Sequence, residues 1–295
     1  MVVTLGTGGG PVVQTKRSQP ASAVLVGKDL YLFDAGEGVQ RQLKAAGLAD
    51  ARLRAVFLTH HHVDHVGGLG PLIVNRWILG TPDPLPVVGP PGTSEMIAGL
   101  VAAARPTERS PLAIGASRPA LAEIAQPRDL TAEMPALTEV YRDDRVRVMA
   151  IEVDHYHDAD GRRSVAARSY GYRVESAGRV IALTGDSGPS ERLVRLARGA
   201  DVLVAEVMDR PAITAALAAM PLAADARAGL IEHMALDHLT PRQVGALARD
   251  AGVKSLVLTH LVPGRDEETS TRGYTDGIDE VFAGRVAVAN DGDRF

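Results

Sequence analysis

The heptapeptide Thr59-His60-His61-His62-Val63-Asp64-His65 governs how the rest of this 295-residue chain is read, because four of its nine histidines fall within it. Ahead of it runs Ala55-Val56-Phe57-Leu58, an apolar stretch that reads as a buried strand, and Gly67-Gly68 follows it. In an extended segment alternate side chains share a face, so His60 and His62 point one way and His61 the other. A turn after His62 lets Asp64 and His65 reach the same pocket from the side. That spacing offers two imidazoles to one metal ion, and a carboxylate with an imidazole to a second. Nitrogen and oxygen ligands without sulfur suit Zn, with Mn or Fe as alternative occupants. A His-rich scavenging tract would not need a buried strand before it and a glycine pair after it.

Working outward, short strands lie on both sides of this segment. Val2 to Leu5, Ala23 to Val26 and Leu30 to Phe33 precede it, and a short helix starts at Val39 and ends near Gly47. A helix over about Gly70 to Leu79, a strand at Pro86 to Val88 and a helix from Thr93 follow. Alternation marks Val146 to Val153 as a half-buried strand. Further strands read at Tyr170 to Val174, Arg179 to Leu183, Val202 to Val207, Ser255 to Leu258 and Arg285 to Ala289, with a helix at Pro241 to Asp250. Two sheets covered by helices on both outer faces satisfy this order, an α/β class. One domain over residues 1–295 is expected. The proline-interrupted stretch at about 105–142 is read as a cap or excursion from it.

Composition narrows the function. There is no cysteine, so disulfides, thiolate ligands and a cysteine nucleophile are excluded. Net charge is −4, only Lys16, Lys28, Lys44 and Lys254 are lysines, and aromatics make up 4%. That balance argues against a basic, stacking surface for nucleic acid, so nucleic acid is an unlikely partner. No run of 18 apolar residues crosses a membrane. Met1 leads directly into Val2-Val3-Thr4-Leu5, which predicts a cytoplasmic protein, or an exported one if a leader has been removed.

Gly6-Thr7-Gly8-Gly9-Gly10 invites a phosphate-loop reading, but no Gly-Lys-Ser/Thr follows and Pro11 interrupts the helix start, so these are read as turn glycines near the site.

Thr59-His60-x-His62-x-Asp64-His65-x-Gly67 resembles the signature of metallo-β-lactamase-fold hydrolases. Leu5-Gly6-Thr7-Gly8 and Phe33-Asp34-Ala35-Gly36-Glu37-Gly38 resemble the opening strands of the branch containing tRNase Z and its arylsulfatase-like and phosphodiesterase-like relatives. Thr184-Gly185-Asp186 is similar to the motif of a bridging aspartate, Leu258-Thr259-His260 to that of the last histidine ligand, and His238-Leu239-Thr240 to a His-x-Thr motif of this branch. The resemblance implies an αββα sandwich of two mixed β-sheets flanked by helices. It also implies two Zn ions, with Mn or Fe as substitutes, and a homodimer.

The ligand set implied is His60, His62 and His155 for one ion, Asp64, His65 and His260 for the other, and Asp186 bridging. His155 follows a strand where the family places its third histidine, with His157 as competitor. Asp64, His238 and Glu206 are the implied catalytic residues, His238 as proton donor steered by Glu206, although Thr240-Pro241 also reads as a plain helix start. Asp34 is expected to support a ligand histidine, and His61 and His233 to be structural. The chemistry implied is attack by a water shared between two metals. Only thirty residues separate His155 from Asp186, too few for the basic arm with which tRNase Z holds tRNA, and residues 105–142 hold no lysine. The expected substrate is therefore a phosphodiester or sulfate ester of a small molecule. The alternatives are tRNA 3′ processing, lactone or β-lactam hydrolysis, and an inactive metal-binding scaffold.

Overall fold

A computed structural model of the chain describes residues 1–49, 51–81, 83–110, 118–158 and 160–295. The first half runs β1 (Val2–Gly6), β2 (Ala21–Val26), β3 (Asp29–Phe33), α1 (Val39–Ala45), β4 (Arg52–Phe57), α2 (Val63–Val66), α3 (Leu69–Ile78), β5 (Leu85–Gly89), α4 (Thr93–Arg109) and β6 (Ala125–Asp129). Its six strands form one sheet in chain order, antiparallel from β1 to β3 and parallel from β3 to β6. The second half runs β7 (Thr138–Arg142), β8 (Arg147–Val153), β9 (Ser169–Ser176), β10 (Arg179–Leu183), α5 (Glu191–Ala197), β11 (Val202–Met208), α6 (Arg210–Ala218), α7 (Ala224–Asp237), α8 (Pro241–Ala251), β12 (Ser255–Val262) and β13 (Arg285–Val288). These seven strands form a second sheet, ordered β13-β12-β11-β10-β9-β8-β7, antiparallel from β7 to β10 and parallel from β10 to β13.

Alternation along the strands divides the apolar side chains into layers. Tyr31, Phe33 and Phe57 of the first sheet meet Val148, Tyr172, Ile181 and Val204 of the second in the central core. Phe33 stacks on Phe57 with centroids 4.9 Å apart, and Tyr172 leans on both at 5.6 and 5.5 Å. Pairs of this kind contribute about 0.5–1.5 kcal/mol beyond the area they bury. Leu32, Val56 and Leu58 face outward onto Val39, Ile73, Trp77 and Ile97 of α1, α3 and α4. Leu203, Ala205 and Leu258 face outward onto Leu193, Leu196, Val244 and Ala248 of α5 and α8. The result is the expected αββα sandwich, whose two sheets are stitched directly below the histidine segment. There Tyr172 Oη donates to Leu58 O at 2.7 Å and Tyr170 N to Thr59 O at 2.9 Å.

The cap expected over 105–142 needs correcting. Residues 111–117 lie outside the described residues, but β6 and β7 within this stretch are edge strands of the two sheets, and Leu121, Ile124, Leu130, Met134 and Val140 are buried core. Edge strands are mostly solvated and tolerate proline, as at Pro127 in β6, so they lack the alternation by which strands are recognised. Helix α7, between β11 and α8, also has no periodic signal, since only its Asp237 is buried, whereas the short α6 buries Ile213, Ala216 and Leu217 and went unread. Among the described residues no helix is long and apolar enough to cross a membrane.

Strands β3, β4, β8, β10, β11 and β12 all present their carboxyl ends to one edge of the sandwich. Open α/β sheets characteristically bind ligands at that edge.

Candidate active site

The candidate residues follow or end those strands: Asp34 after β3, His60 to His65 after β4, His155 after β8, Asp186 after β10, Glu206 in β11 and His260 in β12. The backbone is bent to hold them. Asp34 and His260 have φ of +59° and +44°, a left-handed conformation that few non-glycine residues adopt outside functional turns. Gly185 has φ +61°, and a Cβ there would lie 2.8 Å from Thr59 Cβ, so the Thr-Gly-Asp turn can close over the histidine segment only with glycine.

One group of nitrogens gathers from His60, His62 and His155. His62 Nδ1 lies 2.9 Å from His60 Nε2 and 3.1 Å from His155 Nε2. The outer nitrogens are already committed: His60 Nδ1 lies 3.0 Å from Thr59 Oγ1 and His155 Nδ1 lies 3.0 Å from Asp237 O. A carbonyl can only accept, so His155 donates there and turns the Nε2 lone pair inward. Thr59 Oγ1 donates to Asp34 Oδ2 at 2.9 Å and is left to accept from His60, with the same result. Burial, with His65 and His155 adding to it, pushes the His60 pKa well below the imidazole range. Burial also lowers His62 and takes His155 down to about 3. Three imidazoles lowered in pKa therefore face one another, those of His60 and His155 with their Nε2 lone pairs turned inward. Tetrahedral Zn–N bonds of about 2.0–2.1 Å hold nitrogens roughly 3.3 Å apart, so a cation fits this spacing.

A second group gathers from Asp64, His65 and His260, with Asp186 between the two. Asp64 Oδ2 lies 3.6 Å from His65 Nε2 and 3.5 Å from His260 Nε2. Asp186 Oδ2 lies 3.0 Å from His260, 3.4 Å from His65, 3.8 Å from His60 and 3.9 Å from His155, measured to each Nε2. His65 Nδ1 is 2.8 Å from Asp34 Oδ2, which keeps a proton on Nδ1 and turns Nε2 inward. Burial opposes a proton on His65 and His260, yet Asp186 outweighs it and holds His65 well above the imidazole range and His260 at about 10. Burial opposes the carboxylate charges too, but His260 and His65 draw Asp64 down to about 2 and Asp186 well below its usual range. His65 Nε2, Asp186 Oδ1 and both His260 ring nitrogens are buried without a hydrogen-bond partner. Such atoms are costly unless a ligand satisfies them, and a divalent cation matches both the donor set and the paired carboxylates.

Beside both groups, Glu206 Oε2 accepts from His238 Nδ1 at 3.1 Å and Oε1 from Leu239 N at 2.9 Å. Burial works against a charge on His238, but the Glu206 carboxylate outweighs it and raises the pKa. The helix start is present as well: Gln243 Oε1 accepts from Thr240 N at 2.8 Å ahead of Pro241. His61 turns away, its Nε2 2.9 Å from Thr93 Oγ1. His157 and His233 instead flank Asp237, at 2.5 and 3.2 Å. The structure thus brings together His60, His62, Asp64, His65, His155, Asp186 and His260, with Glu206 and His238 alongside. Sequence reading passed over the carbonyl of Asp237, which any residue type could supply, and the Thr59 hydroxyl, quoted only as part of a motif. Gly10, whose N–H donates to Asp64 Oδ2 at 3.1 Å, was read only as a turn glycine.

Residues 30–261 match the family profile described as "Beta-lactamase superfamily domain". The chain belongs to this superfamily. A relative named Ribonuclease Z from Mycobacterium bovis (strain BCG / Pasteur 1173P2) is 32% identical, covering 98% of this chain and 95% of its own. Among solved structures, the short form of human tRNase Z has TM-score 0.67 and 22% identity, covering 99% of this chain and 97% of that one. YhfI of Bacillus subtilis, a metallo-β-lactamase fold protein, has TM-score 0.67 and 19% identity over the same shares. This β-lactamase-superfamily hydrolase therefore shares nearly its whole length with proteins named ribonucleases, which overturns the expectation that nucleic acid is an unlikely partner. The physical reason is that net charge and lysine count sum over the whole surface, whereas a substrate meets only the field at the site.

Proposed function

We propose that this hydrolase is a ribonuclease that cleaves a phosphodiester of precursor tRNA near its 3′ end. The observation carrying this reading is the 32% identity to a ribonuclease Z across 98% of the chain. It replaces the expected small phosphate or sulfate ester. In this reading His60, His62 and His155 would hold one Zn ion and Asp64, His65 and His260 a second, with the Asp186 carboxylate placed between the two groups.

Two divalent ions bound there would supply an activated water and Lewis-acid stabilisation of charge on the phosphoryl oxygens. The chain's own residues do the rest. Asp34, Thr59 and the Asp237 carbonyl hold the imidazole tautomers so that the inward nitrogens carry lone pairs. Glu206 orients His238 and keeps it protonated. An RNA phosphodiester leaves as a ribose alkoxide, a poor leaving group until it gains a proton, and His238 supplies it.

Single-turnover rates on a precursor tRNA with a 3′ trailer and on bis(p-nitrophenyl) phosphate test the reading. It expects a kcat/KM for the tRNA orders of magnitude above that for the small diester. Turnover of the small diester with an intact tRNA would reverse the assignment.

A further inference from the structure

The loop from Thr7 to Ser18, between β1 and β2, touches one half of the candidate metal centre. Gly10 N–H donates to Asp64 Oδ2 at 3.1 Å. Gly9 lies so close to the His260 ring that a Cβ there would sit 2.7 Å from Nδ1 and 2.8 Å from Cε1. The start of the loop is paired to the residue after His260: Leu261 N donates to Thr7 O at 2.8 Å, and Gly9 N to Leu261 O at 3.0 Å. His60 and His155 are oriented from elsewhere, by Thr59 and the Asp237 carbonyl.

His260 differs from the other buried histidines of the site. The Nδ1 atoms of His60, His65 and His155 each have an acceptor, whereas His260 Nδ1 is buried without a hydrogen-bond partner. Its ring must be oriented by what it packs against, and Gly9 is in that contact.

One carboxylate from the far end of the chain holds this loop. Asp291 Oδ1 accepts from Thr7 N at 3.0 Å and Thr7 Oγ1 at 2.7 Å, and Oδ2 accepts from Ser18 N at 2.6 Å and Gln42 Nε2 at 3.0 Å. Thr7 and Ser18 are the two ends of the loop, so Asp291 closes it at its base. Arg17 adds a second stitch, Nη1 donating to Thr7 Oγ1 at 2.7 Å and Ala289 O at 2.8 Å. The far part of the loop is tied separately, where Asp266 accepts from Thr15 N and Lys16 N at 2.7 and 2.8 Å.

We propose that Asp291 is a positioning residue that, by closing the Thr7–Ser18 loop at its base, sets Gly9 against His260 and the Gly10 N–H against Asp64, and so tunes the second metal position alone. The inference rests on the two-ion reading. In Asp291→Asn one amide oxygen keeps the Thr7 bonds, but the amide nitrogen meets the Ser18 N–H and the Gln42 amide donor to donor. The base of the loop is then held by the Gly8 N–H to Ser18 O bond at 3.0 Å and by Arg17 without the carboxylate, which loosens the seat of Gly9 and Gly10.

The test is Zn titration against a competing chelator for the wild type, Asp291→Asn and Thr7→Val. The two binding steps are assigned with His62→Ala and His260→Ala, each of which removes one step. Loss of an outer-shell partner typically costs about 10- to 100-fold in metal affinity. Asp291→Asn is expected to weaken the step lost in His260→Ala by about tenfold or more and to leave the other unchanged. Thr7→Val keeps the carboxylate and the backbone bond, so it should move the same step by a smaller factor, and it decides the matter should Asp291→Asn fail to fold. Equal weakening of both steps, or of neither, overturns the inference. A wild type that binds no Zn overturns the two-ion reading and this inference with it, so the two failures are told apart.

Discussion

Replacing Asp34 with asparagine exchanges one carboxylate oxygen for an NH2 group at a site that fixes a histidine tautomer. Asparagine tolerates the left-handed backbone at φ +59°, so the turn survives. Its carbonyl oxygen can still accept from Thr59 N and from Thr59 Oγ1, now 2.8 and 3.1 Å from Oδ1, so the hydroxyl remains free to accept from His60. Its nitrogen then takes the place of Oδ2, 2.8 Å from His65 Nδ1. Two donors cannot share that contact, so the His65 proton must move to Nε2, the atom facing Asp64 and Asp186. An imidazole protonated there has no lone pair to offer. The expected result is a loss of metal affinity of about 10- to 100-fold, or roughly 1.4–2.7 kcal/mol, confined to the ion held by Asp64, His65 and His260. Thermal stability of the metal-free protein should fall less than in Asp34→Ala, since the turn and the bonds from Thr59 survive and only the buried contact to His65 is lost. Asp34→Ala differs in kind, since it leaves Thr59 N and His65 Nδ1 without an acceptor, at about 1–3 kcal/mol each, and places alanine at a positive φ. It should lower the melting temperature as well as the affinity. Chelator competition with thermal melts of the metal-free forms reads both quantities. Wild-type affinity for both ions in Asp34→Asn would refute the tautomer argument.

Three further outcomes follow from the geometry. His60→Ala and Asp186→Ala should lose metal and activity while His61→Ala keeps both, measured by elemental analysis; metal loss in His61→Ala equal to that in His60→Ala would mean that the strand-end alternation is misread. His238→Ala should keep its metals yet turn over about 10²- to 10⁴-fold more slowly on RNA, with a much smaller loss on a nitrophenyl ester whose leaving group needs no proton. Equal slowing on both, with a lower melting temperature, would assign His238 a purely structural role. Asp143 accepts from Tyr31 Oη at 2.7 Å, Tyr141 Oη at 3.0 Å and the N–H groups of Arg145 and Val146, tying the two sheets together. Burial opposes its charge, but these donors hold its pKa below the usual value. A depressed carboxylate stabilises the fold above its unfolded pKa, and that stability is lost as pH falls through the folded value. Asp143→Asn should therefore be less stable than wild type by about 1–3 kcal/mol at neutral pH, with the gap closing below about pH 4, as read by urea unfolding at both pH values. A gap that stays constant with pH would exclude a charge-dependent role.

The features legible in the sequence were those that depend on residue type. Histidine, aspartate and glycine after apolar strands marked His60 to His65, Asp186 and His260, because few other chemistries use that combination at that spacing. Features that depend on backbone atoms or on solvated edges left no trace. The Asp237 carbonyl that orients His155 and the Gly10 N–H that bonds Asp64 come from groups every residue has. β6 and β7 escaped because an edge strand needs neither alternation nor freedom from proline. The substrate class was misjudged because a count of charges and aromatics has no position. It reports the average surface, not the rim where His62, exposed at the site, meets solvent.

The central claim, that this site cuts precursor tRNA near its 3′ end, is tested most directly by mapping the cut. A 5′-labelled precursor tRNA with a 3′ trailer is incubated with the Zn-loaded protein, and the products are resolved at single-nucleotide resolution beside the Asp186→Ala variant. The account predicts one dominant cut at the junction of the tRNA and its trailer, absent with Asp186→Ala. An uncut precursor in the presence of two bound ions, or scattered cuts that persist in Asp186→Ala, would contradict it.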